Sequence, residues 1–355
     1  MKIPRVVFRL FETISDTCER EDLIPHESLV LAGVSGGVDS MFLLAFLQFY
    51  RAKTPFDLVA CHLNHGIRER EADFDEELVT SYCQSHGIPL ISVKVRVPDY
   101  AKERKIGLEE AGRLLRRQAF EETAARRLEQ KNYPGGFRIA LAHHLDDRAE
   151  SILMHLGRGS GLQGLVGIRY LDDPYIRPLL DVRNRELVEA ARALDLPWRE
   201  DASNLSREFL RNRIRLDLMP CWQEVLGYDP APLLVRLGDL AQGDDRALSD
   251  LASENLARLC LPDGSLSLAG LVTQPQALVS RILNQYYDRT ESASLSHAQL
   301  EALVELLGAV SFGKKKEARL SLPGGITALL RDGRLWLQKE SVKEDRGDPE
   351  ESGGK

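Results

Sequence analysis

Residues 29–44 read LVLAGVSGGVDSMFLL, two apolar runs separated by Ser35-Gly36-Gly37-Val38-Asp39-Ser40. The first run is short and ends in small residues, and the second continues to Tyr50 with helical length. The stretch therefore predicts strand, tight loop, helix. A Gly-Gly pair has no Cβ atoms and can take positive φ, so the backbone can approach an anion closely. Where such a turn opens a helix, free N–H groups and the positive end of the dipole form an anion site. No Lys follows the glycines, which excludes a G-x-x-x-x-G-K-S/T loop. Phosphates would be held by N–H groups and by the Ser35 and Ser40 hydroxyls, with positive charge from elsewhere. Asp39 would oppose a phosphate unless a divalent cation sits between them, and Mg2+ is implied. The plainer alternative is a Gly-rich turn with Ser40 or Asp39 as helix cap.

The same alternation extends outward. LVACHLNH (58–65), PLISVKVRV (89–97) and FRIALAHH (137–144) read as strands; DFDEELVTSYCQSHG (73–87), LEEAGRLLRRQAFEETAARRLEQ (108–130) and DDRAESILMHL (146–156) read as helices. This order predicts an α/β fold built on a doubly wound parallel sheet. Ligands of such sheets bind beyond the carboxyl ends of the strands, where Ser35–Ser40, His62–Arg68 and His143–Asp147 all fall. After Pro220 the pattern turns helical (231–260, 275–289, 296–308) and closes with ARLSLP and RLWLQ, read as a short β-hairpin. The expected division is a catalytic domain over 1–224 (core 28–220), a smaller, mainly helical C-terminal domain over 225–340, and a disordered tail over 341–355.

Composition narrows the class. The 355 residues are 43% hydrophobic and 28% charged, as in ordinary globular proteins. No apolar run approaches the roughly 20 residues of a membrane span. The N-terminal segment is interrupted by Arg9, Glu12 and Asp16, unlike a secretory signal, so a cytoplasmic location without membrane partners is expected. The five cysteines are scattered and form no C-x-x-C pair, which suggests neither a disulfide framework nor a zinc site. A net charge of −7 argues against indiscriminate nucleic-acid binding but leaves local basic patches open.

Three further stretches carry chemistry. Glu109, Arg113 and Arg116 share one helical face, either to clamp a polyphosphate or as a solvated charge face. Asp146, Asp147 and Glu150 lie in the first turns of a helix, where acids complement the dipole; converging, they would also suit an ammonium group. Arg207, Arg211 and Arg215 repeat every four residues beside an apolar seam of Leu210, Ile214 and Leu218, with Arg213 adding charge and Pro220 just past the helix. Such a stripe can present guanidinium groups to nucleic-acid phosphates, or can be a solvated face paired with Asp201, Glu208 and Asp217. Arg116, Arg117, Arg126, Arg127 and Lys314–Lys316 are weaker candidates of the same kind.

SGGVDS after an apolar strand resembles the signature of the PP-loop, or N-type ATP pyrophosphatase, superfamily. HLNHGIRERE (62–71) with Ala72-Asp73, LEEAGRLLRRQAF (108–120), AHHLDDRAES (142–151), RGSGLQGL (158–165), RPLLDVRN (177–184) and DASNLSREFLRNRIR (201–215) resemble the tRNA(Ile)-lysidine synthetase family, in order, over about residues 28–220. The resemblance implies a carbon–nitrogen ligase whose substrates are ATP, L-lysine and the wobble cytidine of a CAU-anticodon tRNA(Ile). The cytosine C2 oxygen would attack the ATP α-phosphate and release pyrophosphate; the lysine ε-amino group would then attack C2 and expel AMP. It further implies ATP binding by Ser35, Gly36, Gly37, Val38, Asp39, Ser40, His65 and Arg113; Mg2+ at Asp39 and Asp146; lysine at Asp146, Asp147 and Glu150; and tRNA at Arg207, Arg211, Arg213 and Arg215, with the C-terminal domain over 225–340 also contacting tRNA. Asp39, Arg113, Asp146 and Glu150 are the expected catalytic residues. The oligomeric state is open, a homodimer being one option. The rivals are a tRNA thiolase of the same superfamily, a noncatalytic RNA-binding homologue and an amidotransferase-type synthetase.

Overall fold

The computed structural model describes residues 3–64, 69–200, 206–291 and 294–339. His65, Arg68, Asp201 and the tail 341–355 lie outside the described residues. The chain forms two compact units, residues 1–242 and residues 243 onward.

The first unit opens with helix α1 (Arg5–Arg20), which the sequence reading did not anticipate. Its apolar positions Val7, Phe11, Ile14 and Cys18 recur at helical spacing and are buried, with the Phe11 ring against Phe42, Phe46 and Phe49. The elements that follow are β1 (Leu29–Gly33), α2 (Val38–Tyr50), β2 (Asp57–Asn64), α3 (Glu69–Ser85), β3 (Leu90–Lys94), α4 (Val97–Arg104), α5 (Leu108–Gln130), β4 (Phe137–Ala140) and α6 (Leu145–Gly157). A single turn α7 (Leu162–Leu165), the short strands β5 (Leu171–Asp172) and β6 (Tyr175–Ile176), and α8 (Asn184–Ala193) complete the layers. The sheet order is β3-β2-β1-β4-β6-β5, parallel except for the β5–β6 pair. Successive residues of β1 point to opposite faces. Val30 and Ala32 join the core formed with α1, α2, α3 and α8, while Leu29 and Leu31 pack with Ala119 and Phe120 of α5. The doubly wound α/β fold is thus present, and Gly33 shows how tightly α5 closes on it: a Cβ there would stand 2.7 Å from the Phe120 ring.

The chain leaves β1 for β2 and β3 on one side and returns to β4 on the other. The order reverses between β1 and β4, and the loops after these two strands meet at that switch point.

The stretch after α8 departs from expectation. Helix α9 (Leu210–Arg213) passes into a π-helical turn (Ile214–Leu218) and then α10 (Met219–Leu226), so Pro220 lies in the first turn of α10 rather than just past a helix. Arg207 precedes α9, in a turn. Of the expected apolar seam, Ile214 is buried, whereas Leu210 and Leu218 are 42% and 47% exposed. Helix α11 (Ala231–Leu259) crosses the division between the units. Its Ala231, Leu234 and Val235 pack on Ala149 and Ile152 of α6. The pattern change near residue 225 is therefore a change of secondary structure, and the first unit extends to Gln242.

The second unit contains β7 (Leu266–Ser267), α12 (Leu268–Val272), α13 (Gln276–Glu291), α14 (His297–Ser311), β8 (Glu317–Leu322), β9 (Ile326–Arg331) and β10 (Arg334–Lys339). Its sheet is antiparallel in the order β7-β10-β9-β8. This corrects the expected hairpin. ITALLR (326–331) is a full strand between the two foreseen, and Pro323-Gly324-Gly325 supplies the turn that made the segment read as loop.

Candidate functional site

The loop after β1 has the form that an anion cradle requires. Gly36 takes φ +91°, and a Cβ there would sit 3.4 Å from that of Asp75, so the turn is both left-handed and closely lined. Gly37 occupies the N-cap of α2 without a capping side chain, leaving the N–H groups of the first turn unsatisfied by the helix. The serines shape the loop: Ser40 Oγ donates to Gly37 O (2.9 Å) and accepts from Ser35 N (3.1 Å). Two contacts brace it from outside. His62 Nδ1 donates to Val34 O at 2.8 Å, and Arg199 N donates to Gly36 O at 3.0 Å.

Beside the loop, α6 begins with a reciprocal cap: His144 N donates to Asp147 Oδ2 (3.0 Å), and Asp147 N donates to His144 Nδ1 (3.4 Å). Asn184, the first residue of α8, ties α2 to α6. Its Nδ2 donates to Asp39 Oδ1 at 2.9 Å and its backbone N to Asp146 Oδ2 at 2.8 Å. Arg183 bridges Asp146 (2.7 Å) and Asp229. The family-like stretch RPLLDVRN suggested neither residue's role, because a backbone amide, a short amide side chain and a single arginine at no repeating spacing leave no periodic signal.

The three carboxylates of α6 do not converge. Asp146 turns toward Arg183 and Asn184, while Asp147 and Glu150 face Arg211 and Arg215. Arg211 reaches Asp147 Oδ1 (3.0 Å) and Glu150 Oε2 (2.9 Å); Arg215 reaches Asp147 Oδ1 (3.0 Å) and Glu150 Oε1 (2.6 Å). These two arginines therefore turn inward, contrary to the outward stripe expected, and only Arg207 and Arg213 are exposed. The π turn contributes: its wider spacing lets Arg211 and Arg215, on successive turns, reach the same acids. Arg113 is not brought to this cluster. It lies on an exposed face of α5, held bidentately by Glu110 at 2.7 and 2.8 Å.

Electrostatics divide the acids. Burial raises the Asp39 carboxyl above its usual range, against the opposing pull of the His144 ring. Burial acts the same way on Asp147, but the His144 ring and the Arg211 guanidinium outweigh it and draw that carboxyl down to about 2. Burial lowers the His143 ring to about 3, keeping it neutral.

A divalent cation fits beside Asp39, whose desolvated carboxylate has the His144 ring 3.8 Å from Oδ2. Asp146 fits less well, since Arg183 and Asn184 already engage both oxygens. Among the described residues no group of three or more His, Cys, Asp or Glu side chains is arranged to hold a metal. The protein would thus supply few ligands, with phosphate oxygens and water completing the shell.

Residues 10–222 match the PP-loop domain family. The chain is 36% identical over 344 residues to the tRNA(Ile)-lysidine synthase of Clostridium acetobutylicum, spanning 95% of this chain and 71% of that protein. It is 30% identical over 342 residues to that of Caldanaerobacter subterraneus subsp. tengcongensis, with the same coverage. The chain belongs to the tRNA(Ile)-lysidine synthase family. The loop of residues 35–40 lies within the matched domain, and α6 and α8 stand beside it through Asn184. The U34-tRNA thiolase NcsA from Methanococcus maripaludis, solved with its [4Fe-4S] cluster, superposes with a TM-score of 0.52 at 20% identity over 66% of this chain and 79% of its own, a likeness of fold.

Proposed function

We propose that this site ligates L-lysine to C2 of the wobble cytidine of CAU-anticodon tRNA(Ile), using ATP and releasing AMP and pyrophosphate. The observation that carries the reading is the juxtaposition, at one switch point, of an uncapped Gly-rich loop with a mixed carboxylate–guanidinium cluster. The α2 N–H groups and the Ser35 and Ser40 hydroxyls receive the pyrophosphate end of ATP, where fixed dipoles stabilise the charge that builds as the cytosine oxygen attacks the α-phosphate. A Mg2+ ion held by Asp39 would neutralise part of that charge when bound. Arg113 can join this work only by leaving Glu110.

The α6 cluster suits an amino-acid zwitterion. Arg211 and Arg215 offer a fork to a carboxylate, and Asp147 and Glu150 offer acceptors to an ammonium group. Lysine carries one carboxylate and two ammonium groups, so it can exchange with these internal ion pairs without leaving a buried charge unpaired. Asp146 stands between this cluster and Asp39, bound through Asn184, and is placed to receive the proton that the ε-ammonium loses before attack. Arg207 and Arg213 are the exposed members of the arginine stretch and the natural phosphate contacts for tRNA. Among the described residues no helix is long and apolar enough to cross a membrane, and we place the enzyme in the cytoplasm with its tRNA. The five cysteines are free thiols, Cys18, Cys61 and Cys83 buried, Cys260 half-buried and Cys221 exposed, and their scattered spacing offers no cysteine pair for sulfur transfer.

The test is incubation with ATP, Mg2+, labelled lysine and tRNA. Label in tRNA with stoichiometric pyrophosphate is expected. Pyrophosphate release that depends on a sulfur donor or a small acid instead of lysine would reject the reading.

A further inference from the structure

Arg148 is the only arginine of α6, and it is completely buried. In the chain it lies between Asp147 and Glu150, the two acids that face Arg211 and Arg215. Successive side chains of a helix are turned by about 100°, so Arg148 leaves α6 on another face, into the body of the first unit. Its guanidinium is held there by separate segments of the chain. Nε donates to Val166 O at 3.4 Å, Nη1 donates to Tyr170 Oη at 3.4 Å, and Nη1 pairs with Asp239 Oδ1 of α11 at 2.7 Å. The guanidinium also lies over the Tyr170 ring, 5.3 Å from its centroid. Tyr170 is itself fixed, because its hydroxyl donates to Asp181, which accepts from Thr17 and Arg20 of α1. Arg148 thus ties α6 to α1, to the segment 166–170 and to α11. The backbones around it approach closely: a Cβ on Gly238 of α11 would stand 3.0 Å from Ile152 Cδ1 and 3.1 Å from Leu165 O.

Burying this guanidinium is unfavourable. It gives up its hydration, Nη2 has no partner, and the Asp239 side chain is half exposed, so the pair restores only part of what is lost. An apolar side chain of similar length would fill the space without that penalty; what it lacks is direction. A planar fork with fixed donors holds a helix in rotation as well as in position. Turning α6 by roughly 10° would move a carboxylate about 5–6 Å from the helix axis by about 1 Å. A misplacement of that size can lower a rate by about 10²-fold. We propose that Arg148 is a positioning residue for the ligation: it sets the rotation of α6, and so the places of Asp147 and Glu150, on which the affinity for lysine depends. The proposal rests on the reading that these acids receive lysine.

The experiment uses the full chain with ATP, CAU-anticodon tRNA(Ile) and labelled lysine, and measures KM for lysine and for ATP separately, with urea unfolding alongside. Arg148→Met fills the space without the charge. It should raise the KM for lysine at least about 10-fold and leave that for ATP within about twofold. The urea midpoint should stay at or above the parent's, since an apolar replacement of a buried pair is neutral or stabilising. Asp239→Asn keeps an acceptor for Arg148 at a half-exposed position and should hold the lysine KM near the parent's, whereas Asp239→Ala removes the acceptor and should raise it. A parental lysine KM in both Arg148→Met and Asp239→Ala overturns the proposal. So does an equal rise for lysine and ATP, which a general loosening of the domain would give. Should Arg148→Met not fold, the two Asp239 variants decide, and an equal lysine KM in them sinks the idea. If the parent transfers no lysine to tRNA, the functional reading falls and the proposal with it.

Discussion

The edge of α6 and the outer face of β8–β10 both mix arginines with polar side chains, yet they hold their cations in opposite ways. At α6, Glu150 is 2% exposed and takes Arg211 and Arg215 together, with Asp147 sharing both. On the sheet, Arg319 and the neighbouring lysines are exposed and have no ion pair among the described residues. A guanidinium's task is set by what lies within 3 Å of it, and sequence spacing does not report that. The closed cluster holds its guanidinium groups against buried acids, whereas the open face leaves its cations to solvent.

The largest expected effect tests the closed side at its desolvated acid. Asp39→Asn should lower turnover by about 10²- to 10³-fold while tRNA affinity stays near the parent's. It should also stabilise the protein at neutral pH. Burial raises the folded-state pKa of Asp39, so its contribution favours folding below the unfolded pKa of about 4 and is lost as pH rises through the folded value; the ionised group is a liability at pH 7. A thermal melt that shows no gain near pH 7, or a gain that persists at pH 3, would contradict that assignment.

Next in size is the pair itself. Glu150→Ala strips a nearly buried carboxylate from two arginines and should cost about 3 kcal/mol, the low end for a broken buried pair because both guanidinium groups are about a third open to solvent. Urea unfolding measures it. A cost under about 1 kcal/mol would place the cluster with ordinary surface bridges and remove the contrast with the sheet face.

These residues also mark how far the sequence could be read. The strand, tight loop and helix over 29–50 were legible because two apolar runs flank a Gly-Gly turn, and the parallel sheet because strand and helix patterns alternate. Helix α1 was missed although its apolar spacing is regular, since its charges were read only as an argument against a signal. Asn184 and Arg183 were missed because their partners Asp39, Asp146 and Asp229 lie far from them along the chain, so no local spacing links them. The inward turn of Arg211 and Arg215 was misread because fourfold spacing assumes one continuous α-helix, whereas Arg207 lies before α9 and a π turn follows it.

Acid stability offers a third, smaller comparison. Asp147 has a folded pKa of about 2, below its unfolded value. Its contribution, roughly 2 kcal/mol, is present above about pH 4 and lost as pH falls toward 2. Asp147→Asn should lower stability at neutral pH and flatten the acid limb of the stability curve. An unchanged limb would mean that Arg211 and Arg215 rest on Glu150 alone.

The smallest expected effect separates the exposed arginine from its inward neighbours. Arg207 pairs with Asp217 at 3.0 Å in solvent, where an exposed ion pair contributes little, so Arg207→Ala should leave the urea midpoint close to the parent's. If its guanidinium meets a tRNA phosphate, the same substitution should reduce the salt slope of tRNA binding by about 1. Arg211→Ala should do the reverse, costing stability by leaving Arg215 alone to balance the buried Glu150 and Asp147, and leaving the salt slope unchanged. Equal behaviour of the two variants in both measurements would show that Arg211 leaves its acids when tRNA arrives, and the closed cluster would then be a resting arrangement that the substrate opens.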